Sequence, residues 1–431
     1  MKQPLLKIAI AGLGNVGAGV AQWLIDESAF IATKANRPLE IIAVSARTKD
    51  KERGFDLSGI TWCDEPLDLL KHKPDILCEL IGGEEGTAFD LVKAALEQKI
   101  AVVTANKALL AKHGITLARI AEETNTPLAF EAAVAGGIPI IKLLREGLSA
   151  NKILFLYGIL NGTCNYILTT MQSTGRDFND VLKEAQDKGY AESDPTLDVD
   201  GFDTAHKLSL LTALAYGVKP SVETMSISGI RAIKADDIRV ADELGYTIKL
   251  LGRAFRAENG DILQIVEPSL VPKHSPLAHV TGVLNAIYTD SVPVGRNFIE
   301  GRGAGAGPTA SAVISDIIDL ANGRVTAPFL KPVAQMTEIS SLADEQNIES
   351  YYLRLMVKDQ PGVIADVAAI LRDHHISIES LIQRGRDPTH PVMVVITTHE
   401  CSRAHIVSAV DKINKLDSVD QKPLFMPLIK L

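Results

Sequence analysis

Apolar and polar positions change rhythm twice along the chain. Residues 5–11, 41–44, 76–80, 101–103 and 128–130 are short apolar runs, rich in branched side chains. Such runs predict strands buried on both faces. Between them, 15–26, 87–98 and 108–124 carry a helical pattern. Strands alternating with helices predict a parallel sheet covered on both sides, an α/β fold.

From residue 152 the rhythm differs. A strand is expected at 152–160, helices at 164–173, 177–188, 202–216 and 222–228, and strands at 261–270 and 285–299. A helix at 309–321 follows the Gly-rich loop 301–308. Elements grouped in runs predict an α+β region. Residues 322–347 read as a connecting segment, and then the pattern restarts. It runs strand 351–358, turn 359–362, helix 363–374, strands 376–384 and 392–399, helix 402–415 and an apolar run at 424–430. The order β-α-β-β-α-β is ferredoxin-like. The expected domains are therefore 1–130, 131–330 and 348–431.

Composition narrows the function. The 431 residues are 46% hydrophobic and 23% charged, an ordinary globular balance. A net charge of −9 argues against a basic nucleic-acid-binding surface. No apolar stretch approaches the roughly 20 residues a spanning helix needs, and Met1 to Pro4 lead into a strand without an export signal. Membrane and nucleic-acid partners are not expected. Cys63, Cys78, Cys164 and Cys401 show no C-x-x-C spacing, so neither a disulfide framework nor structural zinc is expected. A reducing cytoplasm fits this cysteine usage.

The first chemistry lies at Gly12-Leu13-Gly14-Asn15-Val16-Gly17, between a predicted strand and a predicted helix. In a dinucleotide turn the first glycine permits the bend, the second admits the pyrophosphate, and the third lets helix and strand pack. The helix N-terminus favours the phosphates. The second strand ends Val44-Ser45-Ala46-Arg47-Thr48-Lys49, without the acid that usually holds an NAD ribose. Arg47 and Lys49 suit a 2′-phosphate, so NADP is expected ahead of NAD.

In the middle region Asn161-Gly162-Thr163-Cys164-Asn165 joins a strand to a helix, and an acidic loop leads to Asp203 and Lys207. That pair is spaced to share one helix face. By itself it reads as a helix-stabilising pair beside a solvated loop. Cys164 reads either as a nucleophile at a helix start or as a packed thiol.

Together these motifs resemble homoserine dehydrogenase: the glycine turn, Thr104-Ala105-Asn106-Lys107, Asn161 to Tyr166, Tyr190 to Pro195, Asp203 to Lys207 and Gly303 to Pro308. The resemblance covers residues 7 to about 320. The tail around Lys358 to Ile364 resembles an ACT regulatory domain. The combination is similar to the monofunctional bacterial form, with no aspartate kinase region expected ahead of it. The resemblance implies a Rossmann nucleotide-binding domain, an α+β catalytic and dimerisation domain, and a ferredoxin-like ACT domain. It implies NAD(P)H-dependent interconversion of L-aspartate 4-semialdehyde and L-homoserine, on the route to threonine and methionine.

The resemblance also implies site residues. Lys207 and Lys107 take the catalytic places. Glu192, Asp203, Asp198, Tyr190 and Thr163 take the substrate places, the acids suiting the substrate ammonium. Gly189 and Gly307 join the glycine turn, Arg47, Lys49 and Lys107 near the cofactor. Glu131, Val134, Gly136 and Ile138 match a sodium-binding loop. The Asp359-Gln360-Pro361-Gly362 turn matches an amino-acid effector site, with L-threonine expected, and a homodimer or homotetramer is implied. Thr at the Cys164 position in many relatives favours a packed thiol. The alternatives are an acylating semialdehyde dehydrogenase acting through Cys164, and a non-catalytic amino-acid sensor.

Overall fold

The computed structural model describes residues 4–49, 51–384 and 390–431. The chain begins β1 (Leu6–Ala11), α1 (Asn15–Asp26), α2 (Ser28–Ala35), β2 (Leu39–Ser45), β3 (Thr61–Cys63), β4 (Ile76–Glu79), α3 (Thr87–Glu97), β5 (Ala101–Thr104), α4 (Lys107–Thr124) and β6 (Leu128–Ala129). It continues α5 (Ile140–Lys142), β7 (Lys152–Ile159), α6 (Gly162–Thr174), α7 (Phe178–Asp187), α8 (Thr196–Val199), α9 (Phe202–Tyr216), β8 (Ser226–Ile227), α10 (Ala235–Glu243), β9 (Tyr246–Arg256), β10 (Ile262–Pro272), β11 (Leu284–Val292), β12 (Gly295–Arg302) and α11 (Ala306–Ala321). Last come β13 (Ile348–Val357), α12 (Val363–Asp373), β14 (Ile378–Gln383), β15 (Val392–Thr398), β16 (Cys401–Ser402), α13 (Arg403–Ile413) and β17 (Val419–Leu428).

These elements form two compact units. The first gathers residues 1–162, 203–225 and 283–339. Its parallel sheet runs β3-β2-β1-β4-β5-β6, so strand order reverses between β1 and β4. Ligands of doubly wound sheets bind at such a switch point. Ile8 and Ile10 of β1 and Val20 of α1 share a core with Val313, Ile314 and Ile317 of α11. Each such buried side chain contributes about 1.5–3 kcal/mol. Helix α11, distant in sequence, is thereby held against the nucleotide-type fold. In the same unit β12, β11 and β7 form an antiparallel ladder.

The second unit gathers residues 163–202, 226–282 and 340–431. Its C-terminal part pairs β17-β13-β15-β14, the ferredoxin-like order, with α12 and α13 packed on one core. β10 pairs with β17 at Leu270 and Leu428. Two buried ion clusters join the same elements. Arg253 of β9 bonds Glu267 of β10 at 2.5 Å and also Glu349 of β13. Arg403 of α13 reaches the other Glu267 oxygen at 2.9 Å. Asp237 of α10 receives Arg354 at 2.8 Å and the Tyr352 hydroxyl at 2.9 Å, both from β13.

Some expectations need correction. Residues 222–228 are not a helix. Ser226 and Ile227 form β8, a bridge to Ile265 and Val266 of β10, so tertiary pairing overrides local preference. The expected strand 285–299 is two strands, β11 and β12, turned at Gly295 with φ +79°. β9 and α10 were not anticipated; neither were α2 and β3.

Candidate active site

The glycine turn is shaped by close approach. Gly12 has φ +97°, and a Cβ there would lie 2.4 Å from the Leu80 carbonyl oxygen. A Cβ on Gly17 would lie 1.8 Å from the Gly12 carbonyl oxygen. Around Gly14 there is open space within 4 Å, which leaves room for a pyrophosphate. Leu13 is buried, Asn15 exposed and Val16 half-buried. A cavity of about 320 Å³ opens over Gly14 and Asn15 and is bounded by Arg53 and Ala306. Gly307 is exposed in the first turn of α11, with open space around it. Arg47 and Lys49 are exposed after β2. Arg53 folds back on the carbonyls of Thr48, of Lys49 at 3.1 Å and of Lys51 at 2.7 Å, shaping that loop.

The same unit brings together the two lysines. Helix α9 is buried on nearly every side, including Asp203 and Lys207 near its start. Lys207 Nζ donates to the Leu160 carbonyl and to Asp203 Oδ2, each at 2.7 Å. Asn161 Nδ2 donates to the same oxygen at 2.8 Å. Lys107, the first residue of α4, reaches Asp203 Oδ1 at 3.0 Å. Burial alone would raise the Asp203 pKa, but Lys207 and Lys107, with the hydrogen bonds, hold it far below the ordinary carboxylate range. Asp203, assigned above to the substrate ammonium, is thus engaged by two lysines and an amide. Tight turning at Asn161 needs the next residue to be small: a Cβ on Gly162 would lie 2.8 Å from the Val283 carbonyl oxygen.

The other residues to which the resemblance gives substrate places lie in the second unit. Thr163 donates to the Tyr190 carbonyl at 2.6 Å, and the Tyr190 ring stands edge-on to Tyr166 at 4.9 Å. Glu192 is exposed, and its carbonyl accepts from Gln186 at 3.0 Å. Asp198 sits half-buried on α8, and Gly189 takes φ +72°. Sequence reasoning missed Glu184. Its carboxylate gathers Lys188 at 2.6 Å, Tyr166 at 2.5 Å and Arg176 at 2.5 Å, which hold its pKa down to about 2. It fixes the start of the 188–195 loop. Leu160 carries no expectation from the sequence, and the Asn161-Gly162-Thr163 turn only that of shaping the pocket.

At the proposed cation loop, Glu131 is buried and accepts the backbone N–H groups of Ile141 at 2.9 Å and Lys142 at 2.8 Å. Burial, and then the charge of Asp316, push its pKa up to about 7. Gly136 has φ +47° and faces the Gly303 carbonyl, where a Cβ would lie 2.5 Å away. Val134 and Ile138 are buried, and the Ile138 carbonyl accepts from Ile140 at 2.7 Å.

Residues 12–131 match the family described as homoserine dehydrogenase, NAD binding domain, and residues 139–318 match homoserine dehydrogenase. Residues 351–418 match the ACT domain. The homoserine dehydrogenase of Neisseria gonorrhoeae is 42% identical over 98% of each chain. The chain belongs to the homoserine dehydrogenase family. It is an NAD(P)-dependent oxidoreductase with a C-terminal ACT domain. A solved homoserine dehydrogenase from Thiobacillus denitrificans superimposes with TM-score 0.91 at 40% identity, over 99% of this chain and 98% of that one. A hyperthermophilic archaeal homoserine dehydrogenase in complex with NADPH gives TM-score 0.63 at 29% identity, over 74% of this chain and 98% of that one.

For a homoserine dehydrogenase, the reactive-thiol alternative loses its physical basis. Cys164 is fully buried in α6, and its thiol donates to the Asp198 carbonyl at 3.2 Å. A nucleophile must reach its substrate. Cys164→Ser should keep kcat within about threefold of the parent, since only packing changes. A steady-state assay checks this, and a loss of several orders of magnitude would restore the thiol mechanism.

Proposed function

We propose that this enzyme reduces L-aspartate 4-semialdehyde to L-homoserine with NADPH in preference to NADH, and runs the reverse reaction with NADP. The observation that carries the reading is the Lys107–Asp203–Lys207 array, with separations of 3.0 and 2.7 Å. When bound, the nicotinamide supplies the hydride. The chain manages the proton. Lys207 holds a proton beside the developing alkoxide and delivers it; in reverse it receives the alcohol proton. Lys107 adds positive charge on the nicotinamide side. Asp203 keeps both lysines in register, and its Oδ1, which takes Lys107, has acceptor capacity for the substrate ammonium as well. Glu192 is the remaining acid for that ammonium, with Asp198, Tyr190 and Thr163 shaping the substrate loop.

The phosphate preference rests on Arg47 and Lys49, both exposed where an NAD enzyme usually has an acid. The archaeal relative's complex with NADPH supports it. Replacing Arg47 and Lys49 together by alanine should raise KM for NADPH by about tenfold or more, the loss of two charge-assisted contacts. KM for NADH should stay near its parent value. Equal effects on both cofactors would overturn the assignment.

Sodium is proposed at Glu131, whose buried carboxyl has its pKa pushed up to about 7. A cation held by Glu131 with carbonyls of Val134, Gly136 and Ile138 would favour the ionised form. L-threonine is proposed as effector at the loop 359–362, where Gly362 has φ +95° before α12. A homodimer or homotetramer working in the cytoplasm completes the reading. Among the described residues no helix is long and apolar enough to cross a membrane.

The testing experiment offers L-homoserine with NADP or NAD, with and without sodium and L-threonine, and follows cofactor reduction by absorbance. Reduction with NADP ahead of NAD is expected. Absence of reduction, in the aldehyde direction too, would overturn the substrate assignment.

A further inference from the structure

Glu79 ends β4 at the switch point and is fully buried. Its Oε1 accepts the N–H groups of Ile81 at 2.9 Å and Gly82 at 3.2 Å. Its Oε2 accepts the Thr104 hydroxyl at 2.7 Å. The Thr104 oxygen accepts from the Asn106 N–H at 3.0 Å, so its one proton is directed to Glu79. Asn106 extends the chain of bonds in two directions. Its Nδ2 donates to the Gly83 carbonyl at 2.6 Å, and its Oδ1 caps α4 by accepting from Leu109 at 3.1 Å. Lys107 is the residue after that cap.

One carboxylate therefore ties the loop after β4 to the loop after β5. Packing does not do this work in the first loop. Gly82 and Gly83 have φ +83° and +89°, and a Cβ on either would meet nothing within 4 Å. Burial pushes the Glu79 carboxyl up from its ordinary pKa, and the hydrogen bonds from Thr104, Ile81 and Gly82 oppose that rise. A carboxyl placed here is costly, and its contacts are all to these two loops.

We propose that Glu79 is a positioning residue that sets Lys107 and the Gly82–Gly83 loop against the bound nicotinamide. The proposal rests on the reading of Lys107 as a site lysine. Glu79→Gln preserves shape but exchanges one acceptor for a donor. Turned towards Thr104, the amide leaves the hydroxyl proton without an acceptor; turned the other way, it faces two N–H donors. Thr104→Val breaks the same link from its other end, and Thr104→Ser keeps it.

The full-length enzyme and these variants would be compared by kcat, NADPH affinity and thermal melting. Glu79→Gln and Thr104→Val should each lower kcat about 10–100-fold, the scale of a small misplacement in the site. NADPH affinity should change by less than about threefold, and the melts should remain cooperative, because the nucleotide turn is untouched. Thr104→Ser should recover most of the loss. On a Lys107→Ala background, Glu79→Gln should cost little more, since both act on one element. An unchanged kcat in Glu79→Gln and Thr104→Val beside a slow Lys107→Ala would overturn the Glu79 proposal alone. An equal Glu79→Gln penalty on the Lys107→Ala background would overturn the route through Lys107. A Lys107→Ala enzyme at full speed would overturn the lysine reading itself and, with it, this route.

Discussion

A Lys207→Met enzyme should bind NADPH almost as the parent does and turn over roughly 10²–10⁴-fold more slowly, the usual contribution of a positioned acid–base group. Two of the three ammonium protons are committed, to the Leu160 carbonyl and Asp203, each at 2.7 Å. The third is the one the proposed mechanism uses on the substrate. Methionine keeps the length and the apolar stem, so packing in α9 is nearly preserved. Lys207→Arg should not rescue turnover, because a guanidinium keeps its proton throughout the working pH range. Steady-state kcat together with a cofactor titration checks both variants. A Lys207→Met enzyme within about tenfold of the parent would transfer the proton to another donor, with Lys107 the first to test.

Asp203→Asn should have the second largest effect, and it should act on stability as well as rate. The change removes the anion between two ammonium groups, 2.7 and 3.0 Å from its oxygens. Removing one partner of a buried ion pair typically costs about 3–5 kcal/mol, with the exposed side of Lys107 reducing the figure here. The lysines then repel each other with no anion between them. We expect kcat to fall about 10²-fold. The depressed pKa of Asp203 stabilises the folded state above the ordinary carboxylate value of 3.8 and ceases to do so as pH falls through the depressed one. The stability gap between parent and Asp203→Asn should therefore be flat near neutrality and narrow only below about pH 4. Denaturant titrations across that range would show it. A gap that persisted undiminished in strong acid would remove the electrostatic explanation.

Local pattern carried the nucleotide-type fold well because its strands are short apolar runs separated by amphipathic helices. α1 and α9 begin and end where the periodicity predicts. β9 escaped because its interior holds Lys249 at 1% exposure and Arg253 at 2%, so charge disguises a buried strand. Lys249 donates to Asn165 and the Val280 carbonyl, and Arg253 pairs with Glu267 and Glu349, partners outside the strand's own window. The site was legible as residue types at motif spacing: Lys107, Asp203 and Lys207 do converge in one unit. The spacing gave the Asp203–Lys207 pair, which the structure contains, but not the contact with Lys107, which comes from a distant helix start. Glu79 and Glu184 were silent because a buried carboxylate gathering several donors leaves no periodic trace.

The buried charges along β13 bear on how such a chain can be shortened or assembled. Cutting away residues 340–431 would leave Asp237 without Arg354 and Tyr352, and would take Glu349 and Arg403 from the Arg253–Glu267 pair. An engineer who wants an enzyme without its C-terminal ACT domain therefore has to rewrite the scar, neutralising Asp237 and resurfacing Glu267, rather than only insert a stop codon. Any chain that carries this tail has to supply matching charges on both sides of these contacts.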